Sequence, residues 1–251
     1  MEPPAVQVHG AVRLVLIPGM GVDGRLFRPQ VAAFPFAQTP AWIEPEPKES
    51  LAHYARRMAE DVRARDGGDS RPVVVGGLSL GGMVALEMSR HLPAASVVLM
   101  ASCRESAAVT RLLKLAEFAS RGIPIELVER AKRIATPFLG RGGGDVGGVS
   151  PADRALLGEM LTTIPASFLR WAGRAIMEWP GAADLRLPIH HIHGDHDWVI
   201  PLSRVRRTRP AIEVEVVRGG AHVLNLSHPS EVNLALSRAL EMAAARARSD
   251  S

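Results

Sequence analysis

The sequence predicts an α/β fold: a mostly parallel central sheet flanked by helices, with a block of helices inserted near the middle of the chain. Three observations predict it. Short β-rich runs alternate with helix-period segments before residue 104 and again after residue 184. Residues 104–184 break that alternation and carry helical patterns alone. Between them in type, the pentapeptide Gly77-Leu78-Ser79-Leu80-Gly81 lies directly between an apolar β-run and a helical pattern, the setting of a sharp strand-to-helix turn.

The elements follow in order. Strands are predicted at Val12 to Ile17, Ala41 to Ile43, Val73 to Val75, Ser96 to Met100, Ile189 to His193 and Glu213 to Val217, each a β-branched or aliphatic run. Helices are predicted at Leu51 to Ala64, Gly82 to His91 and Ser230 to Ala245. In the first, Ser50 is placed to cap, and Leu51, Tyr54, Ala55 and Met58 recur at helical spacing. Within the insertion, four amphipathic patterns span roughly 107–121, 125–135, 152–163 and 166–178. A glycine-rich linker, Gly140 to Gly148, divides them into two pairs and reads as a surface loop or a hinge. The expected organisation is a core of residues 1–103 and 185–251 with residues 104–184 as a helical cap over the carboxyl edge of the sheet, where open α/β sheets bind ligands.

Composition narrows the function classes. At 251 residues, 47% hydrophobic and 22% charged, the chain is an ordinary globular α/β domain. The formal net charge of +4 is scattered, and no run of five basic residues appears, which argues against a nucleic-acid partner. The densest patch, Arg204 to Arg209, reads as a solvated helix face. Cys103 is the single cysteine, so no internal disulfide forms and a reducing compartment is expected; as a small thiol it is expected to be buried. Met1-Glu2-Pro3-Pro4 has neither a basic nor an apolar targeting character, and no stretch is long enough to span a membrane. A cytoplasmic location is the resulting expectation.

The chemistry begins at Ser79. A Gly-x-Ser-x-Gly turn is strained and brings strand and helix backbones together, so the positions two before and two after the serine must be nearly free of side chain. The hydroxyl then stands at the carboxyl end of the strand, above a helix N-terminus that favours developing negative charge. A serine needs a base to take its proton, and the base needs a third group to fix its tautomer. Both are expected later in the chain at strand ends. Gly194-Asp195-His196-Asp197 follows one predicted strand, and Gly219-Gly220-Ala221-His222 follows the next. The order serine, acid, histidine is that of α/β-hydrolases.

On these motifs the chain resembles a capped α/β-hydrolase over essentially its whole length. The family's acid motif, Gly-x-x-Asp with a proline a few residues on, matches Gly194 to Pro201 and implies Asp197 rather than Asp195 as the acid. Its histidine motif matches Gly220 to His222 with Pro229 beyond. The oxyanion donors are expected at Leu80, the residue after the nucleophile, and at Met20, because Pro18-Gly19-Met20-Gly21 resembles the family's loop after the first strand. Two departures stand out. Ser227 occupies a position where many members have glutamate, and Pro45 to Ser50 replaces a Gly-x-Gly-x-Ser segment.

Two other motifs compete. Gly19 to Gly24 fits the Gly-x-Gly-x-x-Gly dinucleotide fingerprint, with Glu44 at the right distance, but Pro29 disrupts the helix that must follow. His191-Ile192-His193-Gly194-Asp195-His196 fits a dizinc ligand pattern, but too little chain follows it, and a buried strand ending accounts for His191 and His193. Neither a metal nor an organic cofactor is expected. Trp198 beside the acid, and Phe168 and Trp171 in the cap, are candidates for lining the substrate pocket, although aromatics at helical spacing also form plain core. The expected activity is a serine esterase acting on a small-molecule carboxylic ester. A thioester or an ester carried on acyl carrier protein is the alternative, the carrier meeting Arg111, Lys114, Arg121, Arg130, Lys132 and Arg133. A non-catalytic binder on the same fold is the reading from another class. Oligomeric state is left open.

Overall fold

The computed structural model describes residues 10–110, 122–130, 148–208, 211 and 213–249. Five strands form one sheet: β1 (Arg13–Ile17), β2 (Val73–Leu78), β3 (Ala94–Met100), β4 (Ile189–Gly194) and β5 (Val214–Val217). They lie side by side in chain order and every pair is parallel. Because all five run the same way, the segments following each strand gather at one edge. That edge receives Pro18 to Gly21, Ser79, Ser102, Asp197 and His222.

Both faces of the sheet are covered, which explains the unbroken apolar runs in the strands. Val15, Val75, Val97 and Leu99 face α2 (Leu51–Arg65) and α3 (Leu80–Met88). Leu14, Leu16, Val74 and Val98 face the long C-terminal helix α8 (Pro229–Ser249), together with the short helix α1 (Arg28–Ala33) before it in the chain. Ser50 caps α2 as its spacing implies, its Oγ accepting from His53 N at 3.2 Å. Leu51, Tyr54, Ala55, Met58, Ala59 and Val62 form the buried stripe of that helix.

The predicted strand at Ala41 to Ile43 is corrected. Only Gln38 pairs with the sheet, as an isolated bridge to Val15. The next residues are held by side chains in place of a ladder. Tyr54 Oη donates to Ile43 O at 2.8 Å and accepts from Ile43 N at 3.1 Å, while Trp42 Nε1 donates to Val22 O at 2.9 Å. Pro40, Pro45 and Pro47 flank this segment, and none of the three has an N–H to give a ladder.

Between β3 and β4 the described chain is helical. Ser106–Ala108 forms a 3₁₀ turn, residues 125–130 are helical, and α4 (Pro151–Thr163) and α5 (Ala166–Glu178) match the last two predicted helices closely. The remainder of the first two predicted helices and most of the Gly140 to Gly148 linker lie outside the described residues. Two short helices, α6 (Leu202–Val205) and α7 (Leu224–Ser227), follow β4 and β5. Cys103 is buried.

Candidate active site

Ser79 adopts φ 54° and ψ −121°, a backbone conformation that L-residues avoid, at the junction of β2 and α3. The glycines around it are required by close approach. A Cβ on Gly77 would overlap the backbone of Gly81, and one on Gly81 would overlap the carbonyls of Ile17 and Pro18. The turn is also fastened. Ser79 N donates to Met100 O at 3.0 Å, and Ser102 Oγ donates to Ser79 O at 2.6 Å. Ser102 is a supporting residue that no sequence motif announces, although Gly82 carries its trace: a Cβ there would strike the Ser102 side chain.

The loop after β1 lies against this turn. A Cβ on Gly19 would come within 3.7 Å of Ser79 Cβ. Among the described residues, the amides of Met20 and Leu80 donate to no acceptor. Gly24 does not open an α-helix long enough for a dinucleotide; it starts a four-residue 3₁₀ turn, capped by Asp23 accepting from Arg25 N.

At the neighbouring strand ends the acid and histidine turns pack backbone to backbone. A Cβ on Gly194 would overlap the Gly220 carbonyl, and His196 N donates to Gly220 O at 3.0 Å. Asp195 Oδ1 accepts from Gly219 N at 2.7 Å and so ties the two turns together, leaving Asp197 to face inward. Asp197 is buried. Its Oδ1 accepts from Val199 N and Ile200 N, each at 2.9 Å, and its Oδ2 lies 2.8 Å from His222 Nδ1. Burial opposes its charge, but the His193 and His222 hydrogen bonds, the nearby His222 charge and the Ile200 amide outweigh that penalty. The carboxyl is therefore held well below the ordinary carboxylate range.

A cavity of about 260 Å³ opens at Ser79. Met20, Met83, Val109, Val199 and Ile200 line it from the sheet side, and Val128, Leu169, Ile176 and Met177 from the inserted helices, with Arg170 the one charged group among the described residues. Phe168, Trp171 and Trp198 are not among the described residues that line this cavity. Phe168 and Trp171 belong to a stack with Trp42 and Tyr54, the Tyr54–Trp171 ring centroids 4.2 Å apart, and Trp171 Nε1 donates to Glu49 O at 2.9 Å. Trp171 also borders a separate, polar groove of about 480 Å³ with Glu44, Glu46, Lys48, Arg170 and Arg174. Trp198 is 64% exposed and lines neither space. Aromatic rings this large gain more from one another and from α2 than from an open cavity. The aliphatic residues that do line the cavity carry no sequence signature distinguishing them from core.

His191 and His193 do not project as a ligand pair. They are buried and hydrogen-bonded to each other, Nε2 to Nδ1, at 3.1 Å. His196 is exposed. Among the described residues the trio closest to a cation-ligand arrangement is Glu46, Glu49 and His53, and Arg57 already pairs with it, with Nη1 2.9 Å from Glu49 Oε2. No helix among the described residues is long and apolar enough to cross a membrane.

Solved structures share this architecture. An esterase from Thermogutta terrifontis superposes with a TM-score of 0.71 at 18% identity, covering 93% of this chain and 90% of its own. A hydrolase from Oleispira antarctica gives 0.70 at 13%, covering 92% and 91%. The enol-lactonase from Burkholderia xenovorans gives 0.67 at 16%, covering 93% of each chain. At these identities the likeness establishes the fold. No curated protein sequence matches the chain. Residues 9–235, however, match the family model described as alpha/beta hydrolase family, and with the parallel sheet and strand-end turns described above this chain belongs to that family.

Proposed function

We propose that the protein is a serine hydrolase that cleaves carboxylic esters through Ser79, His222 and Asp197. One observation carries the reading: a serine held at φ 54° on the sheet edge that also bears a His222–Asp197 pair at 2.8 Å. His222 Nε2 takes the Ser79 hydroxyl proton as Oγ adds to the ester carbonyl carbon. Asp197 accepts a hydrogen bond from the Nδ1–H, fixes the tautomer and stabilises the imidazolium that forms. The amides of Met20 and Leu80 receive the oxyanion, each such donor being worth roughly 10²- to 10³-fold in kcat. Collapse of the tetrahedral adduct expels the alcohol, which takes its proton from His222. A water then gives a proton to His222 and adds to the acyl carbon, and a second collapse frees the acid and returns the proton to Ser79.

Residues 104–184 act as a cap, with α5 laid across the cavity. The aliphatic lining suits an uncharged acyl or alkyl chain. Lactones, as cyclic esters, fit the same chemistry. Of the basic residues suggested for an acyl-carrier contact, only Arg130 is among the described residues, where it is exposed; Arg111, Lys114, Arg121, Lys132 and Arg133 lie outside them.

The test is turnover of an ester panel varied separately in acyl and alcohol length, with lactones and matched thioesters included, alongside fluorophosphonate labelling. Wild-type protein is expected to turn over esters and to be labelled at Ser79. Ser79→Ala is expected to lose both, with kcat falling by on the order of 10⁴-fold or more. Turnover that survives Ser79→Ala, or a wild type inert to the probe and to every ester, would overturn the proposal.

A further inference from the structure

Two fully buried imidazoles lie behind the acid, outside the mechanism just given. His193 Nε2 faces two acceptors at once, the Ile200 carbonyl at 2.7 Å and Asp197 Oδ2 at 3.3 Å. Neither a carbonyl nor an ionised carboxylate donates, so the proton sits on His193 Nε2. Its Nδ1 then carries the lone pair and accepts from His191 Nε2 at 3.1 Å. His191 Nδ1 is buried at the far end of the chain, where the Ser102 backbone bears on the ring. For a pair of neutral rings, the partners thereby assign both tautomers.

We infer that His193 is a positioning residue for Asp197, its Nε2–H bracing the acid loop against β4 and holding the carboxylate toward His222. The inference rests on the hydrolase reading above. The carboxylate accepts from Val199 N and Ile200 N on Oδ1 and lies against His222 on Oδ2, and His193 Nε2 stands 3.3 Å from the same Oδ2 while its shorter contact goes to Ile200 O. Both oxygens are thereby engaged, and neither is free to rotate away. Ile200 closes the brace from both ends, giving its N–H to the acid and its carbonyl to His193. His191 keeps the donor on the correct side of the ring. Arg104, from the loop after β3, is the charged group bearing on His191, while His222 is the one bearing on Asp197. This arrangement also explains a His-x-His spacing on a strand that would otherwise suggest a metal.

His193→Phe keeps a ring of similar shape and removes the donor. Losing a hydrogen bond to a charged group is expected to lower kcat roughly 10- to 100-fold while KM changes little. The Asp197 carboxyl is expected to rise toward its ordinary range, so activity is lost at higher pH on the acid limb. His193→Gln places an amide N–H where Nε2 stood and is expected to recover most of the rate and the wild-type limb. In wild-type protein, imidazole ¹⁵N shifts are expected to report His193 protonated at Nε2 and bare at Nδ1, a measurement that stands even if the phenylalanine variant fails to fold. The inference is overturned by the opposite tautomer, by a His193→Phe profile identical to wild type, or by a glutamine variant no better than phenylalanine. Fluorophosphonate labelling keeps the two readings apart. A wild type that is neither labelled nor active overturns the hydrolase reading, whereas a labelled, active wild type with an unmoved His193→Phe profile overturns this inference alone.

Discussion

On the sheet side of Ser79 stands a wall of directed hydrogen bonds, and on the helical side a wall of aliphatic contacts. In the first, Asp197, His193, His191 and His222 each have partners within 2.7–3.3 Å, and main-chain groups of Val199 and Ile200 complete the set. In the second, Leu169, Ile176, Met177 and Val128 meet the cavity, and among the described residues Arg170 is the one charged side chain there. The difference has a physical consequence. A buried polar network tolerates little change, because removing one partner leaves another unpaired at the full desolvation cost. An apolar wall is held by non-directional burial, and volume-conserving exchanges there cost under about 1.5 kcal/mol. On the proposed reading, the reaction and the substrate preference belong to separate walls, and each can be altered without the other.

The strongest way to break that division is Asp197→Asn. The amide cannot hold His222 in the same tautomer, and kcat is expected to fall by about 10⁴-fold with KM little changed, measured by steady-state kinetics on the best ester. A loss below tenfold would show that the polar wall does not carry the reaction.

Ile176→Ala probes the other wall. Enlarging the cavity is expected to shift kcat/KM between short and long acyl chains by roughly 10- to 200-fold, while kcat on the preferred chain stays within the same order of magnitude. Equal effects on every chain length would mean that α5 supports the site without shaping it.

The third expected effect is on stability, not on rate. Burial, and then the neighbouring His193, push His191 down to about 3. In the unfolded chain an imidazole titrates near 6.5, so below that pH unfolding takes up a proton that the fold excludes. The contribution to stability is whole above about pH 6.5 and falls by up to about 1.4 kcal/mol per pH unit toward pH 3. His191→Gln is expected to flatten the stability–pH slope by one proton between pH 6 and pH 4 in denaturant titrations. An unchanged slope would show that His191 is not the buried neutral group.

The parts legible in the sequence were those in which local geometry forces residue type. Gly77 and Gly81 could be nothing larger, because their Cβ atoms would enter neighbouring backbone. Helix α2 was legible from Ser50 and its apolar stripe. The acid and histidine were legible because short turns at strand ends need glycine beside them, as Gly194 against Gly220 demonstrates. The segment at Ala41 to Ile43 misled for the opposite reason. Its residues favour strands, and Tyr54 from α2 satisfied its backbone before a neighbour strand did. The places of Phe168, Trp171 and Trp198 were not legible, because an aromatic ring has the same signature in a stack, in a pocket wall or on the surface.

By itself, then, the sequence determined that strands and helices alternate, where the sharp turn at Ser79 falls, and which later turns offer a carboxylate and an imidazole. Those are local demands of steric fit and periodicity, carried by a few neighbouring residues each. Only the tertiary structure decided that His193 backs Asp197, that Ser102 fastens the turn, and that the cavity is aliphatic with the aromatics stacked away from it. Such contacts join residues from β2, β3, β4 and the inserted helices, and their energies depend on which surfaces meet when the chain closes on itself, a quantity that no stretch of neighbouring residues contains.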